Sequence, residues 1–188
     1  MNEQNEEGAQ ELRSLRPHPR DTAFMKIALE EAGTALTEGE FPVGCVLVAG
    51  DKVLARGHRR NSRAESRNEI DHAEMVTLHR LLAEKPGIDL GPVTLYSTME
   101  PCLMCYATML LSGIRRFVWG YEDVMGGGTG LDLDKLPPLY AAMVVELVPG
   151  VLRAESLDLF RKFFKEHDYW QDSFLARYTL SQSSEERS

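Results

Sequence analysis

Long apolar runs are missing from this 188-residue sequence. None approaches the ~18 consecutive apolar residues that a membrane-spanning helix needs. The N-terminus, MNEQNEEGAQ, has neither the basic start nor the apolar stretch of a secretory signal. Both absences lead to the expectation of a cytoplasmic protein with no membrane partner. Cysteine is scarce, and three of them cannot all pair within the chain. Two, Cys102 and Cys105, stand as Cys-x-x-Cys, which suits metal or redox chemistry in a reducing compartment. Excess positive charge is lacking as well. The net charge is −8, and residues 21–180 alone hold 17 basic and 23 acidic residues, a net of −6. Such a balance disfavours a broad phosphate-binding surface. It leaves room for a local patch. Arg56, Arg59, Arg60, Arg63 and Arg67 fall within twelve residues, opposed only by Glu65.

What is present reads as an ordinary globular chain, 43% hydrophobic and 27% charged, of a length that suits one domain. Residues 1–20 are polar and carry Pro17 and Pro19, so they read as a flexible lead-in. Residues 21–180 read as a single domain, with 168–180 as a lid over the site, and 181–188 as a disordered tail. Asp21 reads as the N-cap of a first helix, in which Phe24, Ile27, Ala28, Ala32 and Leu36 recur at helical spacing. Val43–Val48 and Val53–Arg56 read as a hairpin about Gly50-Asp51. A helix over Asp71–Lys85, a strand over Val93–Ser97, a helix from Pro101 to Leu111 and a strand over Phe117–Tyr121 follow. A long loop, 122–138, carries Gly126, Gly127, Gly128 and Gly130; its position beside the site or at a subunit interface stays open. Met143–Val148 reads as a fifth strand, and Leu152–His167 and Tyr169–Tyr178 as helices. This order predicts an α/β fold with one mixed sheet between helices.

The chemistry gathers in His72-Ala73-Glu74 and Pro101-Cys102-Leu103-Met104-Cys105. Each segment opens a helix, where free N–H groups and the helix dipole favour thiolates. Two thiolates and an imidazole make a soft zinc site whose charge balances the ion. Three protein ligands leave a fourth position open, the mark of a catalytic rather than a structural zinc. Glu74, two residues after the histidine, is placed to take a proton from water and return it to a leaving amine. Read alone, His-x-Glu is nearly meaningless, and Cys-x-x-Cys could be a redox dithiol or half of a zinc knuckle. Cys45, in an apolar strand, reads as a buried small hydrophobe.

Together these motifs, His-x-Glu followed by Pro-Cys-x-x-Cys, form the zinc deaminase signature. From about Phe24 to at least Tyr121 the sequence resembles the cytidine/deoxycytidylate deaminase superfamily. The similar branch holds tRNA adenosine deaminases, guanine deaminases and fungal cytosine deaminase. Phe41-Pro42-Val43-Gly44 with Val46-Leu47-Val48 matches the family's first strand. Thr98–Cys105 is similar to the tRNA adenosine deaminase version. The resemblance implies a three-layer α-β-α fold with a five-stranded mixed sheet, usually in a dimer or larger oligomer, here expected to be a homodimer. It implies one zinc per chain, held by His72, Cys102 and Cys105, with Glu74 shuttling protons. It also implies that Asn61, eleven residues before His72, holds the substrate, and that Ala73 and the backbone about Glu100 and Pro101 position amine and hydroxyl. Asp71, where relatives often carry a small residue, either caps the helix or touches substrate.

The reaction implied is hydrolysis of an amidine C–N bond with release of ammonia. Two features pull apart on the substrate. The arginine edge, Arg56–Arg67, corresponds to a loop that faces RNA in the tRNA enzymes; it reads as a contact for RNA phosphates, a contact for a phosphorylated small substrate, or a solvated edge paired with the acidic body. The aromatic C-terminus contains Asp168-Tyr169-Trp170-Gln171-Asp172, which resembles a segment of fungal cytosine deaminase. By that match Tyr169 is a lid and Asp172 a base contact. The reading preferred from sequence is a small aminated heterocycle, cytosine- or guanine-like. Its alternative is a tRNA-specific adenosine-to-inosine deaminase, with tRNA on the arginine edge. A third reading is a catalytically silent zinc scaffold in a nucleic-acid-binding partnership, a role in which the glutamate tends to be lost.

Overall fold

A computed structural model describes residues 18–63 and 67–182. The expectations for residues 1–17, Glu65 and 183–188 lie outside the described residues. Helix α1 spans Pro19–Thr37, and strands β1, Gly44–Ala49, and β2, Lys52–His58, form the hairpin. Helix α2 follows at Ala73–Glu84, then β3 at Val93–Met99, α3 at Leu103–Ser112 and β4 at Arg116–Tyr121. A single 3₁₀ turn at Leu133–Lys135 and a short α4, Pro138–Ala141, lie in the long loop that leads to β5, Glu146–Val148. The chain closes with α5, Arg153–Glu166, and α6, Phe174–Ser181. Among the described residues no helix is long and apolar enough to cross a membrane.

The five strands run in the order β2-β1-β3-β4-β5. β1 is antiparallel to both β2 and β3, while β3, β4 and β5 are parallel. Period-2 alternation splits the strands between two apolar clusters. Val46, Val48, Tyr96 and Val118 point to the side covered by Phe24, Met25 and Ala28 of α1. Cys45, Leu47, Leu95, Phe117 and Trp119 point to the other, with Leu78 and Leu81 of α2 and Tyr106, Met109 and Leu110 of α3. The result is the expected three-layer sandwich. Contact on the α1 side is so close that a Cβ on Gly44 would stand 2.0 Å from the Ala28 carbonyl oxygen.

Three local expectations change. The N-cap of α1 is His18, not Asp21: its Nδ1 accepts from Arg20 N–H, and Asp21 returns the bond to His18 N–H. Pro19 therefore starts the helix rather than breaking it, because a first-turn proline lacks only an N–H that has no partner there. Asp21 is instead fully buried and accepts from Tyr96 Oη at 2.8 Å and from Arg116 Nη1 and Nη2 at 2.9 Å each. The fifth strand is shorter than read. The last helix begins at Phe174, with Ser173 as its N-cap, because Trp170 takes a left-handed backbone, φ 52°, that no helix accommodates.

The Asp21–Arg116 pair yields a stability prediction. Burial works to raise the Asp21 carboxyl, but hydrogen bonds from Arg116 and Tyr96 outweigh it and hold it below its ordinary value. A depressed folded-state pKa contributes stability that is present above the unfolded value, about 3.9, and is lost as pH falls through the folded one. Asp21→Ala is expected to lower unfolding free energy by about 2–4 kcal/mol at pH 7, since it strips the buried Arg116 and Tyr96 groups of their shared acceptor and leaves the guanidinium with Glu146 alone. Urea denaturation at pH 7 and pH 3 checks this: the difference between wild type and variant should shrink at the lower pH.

Candidate active site

Two helix N-termini meet at the carboxyl end of β3. His72 is the N-cap of α2 and Cys102 the N-cap of α3, both with extended backbone. Neither side chain caps its own helix, so both are free to face each other across the gap. Cys105, one turn into α3, joins them. His72 Nδ1 lies 3.4 Å from Cys102 Sγ and 3.5 Å from Cys105 Sγ. All three ligand atoms lie within 4.8 Å of one another. A tetrahedral zinc with Zn–N and Zn–S bonds of about 2.0 and 2.3 Å sets its ligand atoms about 3.5–3.8 Å apart. The donor set and its spacing thus fit zinc, and His72, Cys102 and Cys105 could hold one ion.

Electrostatics agree with a cation site. A hydrogen bond from Cys105, joined by one from His72, overrides burial and pulls the Cys102 thiol down to about 4. Cys105 moves the opposite way, raised by its bond to Cys102 and by burial. Burial alone would lower His72, yet the Cys102 sulfur and the Glu74 carboxylate raise it. Glu74 is itself 3% exposed, in the first turn of α2, and burial raises its carboxyl. Its Oε2 accepts from Cys105 Sγ at 3.6 Å and its Oε1 from Ser97 Oγ at 3.3 Å. A buried carboxyl beside a metal site, raised from its ordinary value by burial, is suited to take and return a proton.

Glu100 organises the opposite wall. Its Oε1 accepts from Thr129 N and Oγ1 at 3.3 and 2.5 Å, and its Oε2 from Asp123 N at 3.2 Å. Gly128 N donates to Pro101 O at 2.9 Å, so that carbonyl is spent on the loop. The glycine-rich loop therefore borders the site, the choice its composition left open. Glycine is required there by contact: a Cβ on Gly127 would stand 2.6 Å from the Glu100 carboxylate, and one on Gly128 2.6 Å from the Leu103 backbone.

The cavity above the metal ligands is lined by Ala73, Glu74, Glu100, Phe41, Met99 and Asp123, among others. Tyr169 and Trp170 close one side, stacked on each other at 5.1 Å and 10° and packed against Phe41. Tyr169 Oη donates to Glu69, and Arg67 lies over its ring at 5.4 Å. The tail thus seats on its own subunit's cavity. Three expected contacts, Pro101, Asp172 and Asn61, are not among the lining residues. Asp172 gives its carbonyl to Arg177, beyond the aromatic pair. Asn61, left-handed at φ 56°, donates to Asp71 Oδ2 at 2.5 Å. Asp71 neither caps α2 nor lines the cavity; it holds Asn61. Trp170, Asp123 and Arg59 line the cavity and were not singled out individually from sequence. Only the arginine cluster and the aromatic stretch hinted at two of them.

Fold and site together define a zinc-dependent deaminase. A family description of the cytidine and deoxycytidylate deaminase zinc-binding region matches residues 18–121, and the chain belongs to that family. It is 35% identical over 147 residues to the tRNA-specific adenosine deaminase of Bacillus subtilis (strain 168), covering 78% of this chain and 90% of the relative. It is likewise 35% identical over 149 residues to that of Agrobacterium fabrum (strain C58 / ATCC 33970), covering 77% and 94%. Among solved structures it is similar to one from a study of A-to-I editing by tRNA:A34 deaminases at the wobble position of transfer RNA. That match has a TM-score of 0.61 and 29% identity, covering 73% of this chain and 99% of the other.

Two outcomes check this site. Metal analysis of purified protein is expected to give about one zinc per chain, falling to near zero in Cys102→Ala. Gly128→Ala is expected to lower stability by about 1–3 kcal/mol through overpacking against α3, read by urea denaturation.

Proposed function

We propose that the protein is a tRNA-specific adenosine deaminase, converting adenosine to inosine in a tRNA with release of ammonia. The observation that carries this is identity of 35% across 90% of a relative bearing that name. It displaces the preference for a small free base, which rested on a five-residue match whose Asp172 does not reach the cavity.

In this reading the flat base enters the cavity against the wall formed by Phe41, Tyr169 and Trp170, with its exocyclic amine toward His72 and Cys102. Zinc, when bound, supplies Lewis acidity that makes water nucleophilic at neutral pH. Glu74 removes a proton from the attacking water at one carboxylate oxygen. Oxygen adds to C6 as the C6–N1 π pair moves to N1, which takes that proton from Glu74; Glu74 then passes the proton of the added hydroxyl to the exocyclic nitrogen, and ammonia leaves as the C6–O double bond forms. The apolar walls keep other water away, which strengthens these charge interactions. The presence of Glu74 argues against the silent-scaffold reading. Homodimer assembly belongs to the same proposal, and a single-chain mass on sedimentation would remove it.

The arginine edge is less free than its sequence suggests. Arg56 pairs with Glu30 and Glu31, Arg59 with Glu69 and Arg63 with Glu40. RNA phosphates would have to compete with these carboxylates. One observation favours the small-base reading instead: the Tyr169–Trp170 pair covers the cavity from within the same chain.

Ammonia release measured across cytosine, guanine, adenine, their nucleosides and a tRNA anticodon hairpin decides between them. The hairpin is expected to be the best substrate by orders of magnitude; activity on a free base with none on the hairpin would reverse the assignment. Glu74→Ala is expected to retain zinc and fold while turnover drops by about 10²–10⁴-fold. Unchanged turnover would remove the proton-shuttle role.

A further inference from the structure

One polar side chain in the cavity has donors to spare. Arg59 follows β2 directly, and its backbone N–H donates to Val43 O at 2.9 Å. Its side chain is only 3% exposed and lines the cavity. Nη2 is used twice, donating to Asn68 O at 3.1 Å and Glu69 Oε2 at 2.9 Å. Nε and Nη1 are buried and meet no hydrogen-bond partner among the described residues. Between them they carry three N–H groups. Buried donors left this way are rare and unfavourable, and Arg59 belongs to a cavity wall, where a bound ligand can reach and satisfy them.

The rest of the lining decides the ligand's chemistry. Phe41, Val43, Met99, Tyr169 and Trp170 offer apolar and aromatic walls suited to a planar ring. Glu74, Glu100 and Asp123 also line the cavity, and Glu69 already balances the guanidinium. A phosphate would meet three carboxylates and a cation that is already paired. A neutral ring offering lone pairs meets none of these objections. We propose that Arg59 reads the acceptor edge of the purine ring, donating from Nε or Nη1 to N3 or N7 while the amine faces the metal ligands. This rests on the adenosine reading above. Arg59, rather than Asn61 two residues on, supplies the polar contact here, because the Asn61 amide is engaged by Asp71 outside the cavity. Rings that present a donor at that edge are rejected, since two N–H groups would then oppose each other.

Three anticodon hairpins test it, carrying adenosine, 7-deazaadenosine or 3-deazaadenosine at the reacting position. Each deaza ring replaces one acceptor nitrogen by C–H. With zinc-loaded wild type, kcat/KM is expected to fall about 10–100-fold on one of the two deaza hairpins, the loss of one charge-assisted hydrogen bond. Arg59→Met removes every donor and leaves half-exposed Glu69 free to turn to solvent. It is expected to lose about the same factor on adenosine and to become indifferent to the sensitive deaza position. Should Arg59→Met fold poorly, by melting temperature or zinc content, Arg59→Lys keeps the ion pair with Glu69 but not the fork, and the same comparison is made. Wild type indifferent to both deaza rings, or a variant that keeps the wild-type discrimination, would overturn the proposal. Failure of the tRNA reading looks different: wild type then turns over a free base and no hairpin. The same comparison passes to that base and its deaza analogues, with the same deciding outcomes.

Discussion

Two cysteine sulfurs and a carboxylate crowd together at the end of β3, and everything near them serves to make that arrangement tolerable. Glu74 Oε2 stands 3.6 Å from Cys105 Sγ, and Cys102 is held toward its thiolate form. Burying so much negative character is unfavourable unless positive charge is supplied. The fold supplies part of it through the N-termini of α2 and α3, both aimed at the same point. A divalent cation held by His72, Cys102 and Cys105 would supply the rest. The need for this balance explains why the site lies at two helix starts and why neither His72 nor Cys102 is spent on capping.

The sheet makes the geometry possible. The parallel pairing of β3 and β4 brings Met99 opposite Tyr121, so the segments leaving both strands emerge side by side. One becomes the start of α3; the other becomes the loop that Glu100 draws in through Asp123 and Thr129. Glu100 thus joins the metal-binding turn to the wall that faces it. The third wall comes from the chain's far end, where Tyr169 and Trp170 pack on Phe41 just ahead of β1.

Much of this was legible in the sequence because it follows short-range rules. The apolar run Val43–Val48 marked a strand with Cys45 buried in it, and the motifs holding His72, Cys102 and Cys105 marked a metal site. What was not legible depends on long-range partners. Nothing local says that Asp21 will accept from Arg116, 95 residues away, rather than cap its helix. Nothing in Asn61 shows that Asp71 will claim its amide. Tyr169 and Trp170 carry helical spacing, and the left-handed turn at Trp170 breaks it for the sake of packing on Phe41. The arginine cluster is visible as charge, yet its pairing with Glu30, Glu31, Glu40 and Glu69 needed the fold.

The placement of ligands at helix starts has a mechanical side. His72 and Cys102 stand 30 residues apart in the chain and belong to different helices on one sheet face. An ion held between them would close that loop much as a disulfide does. Unlike a disulfide, it is indifferent to a reducing environment and can be withdrawn by a chelator. Such an ion would serve as a removable staple as well as a Lewis acid, tying the protein's cohesion and its chemistry to the same supply of metal.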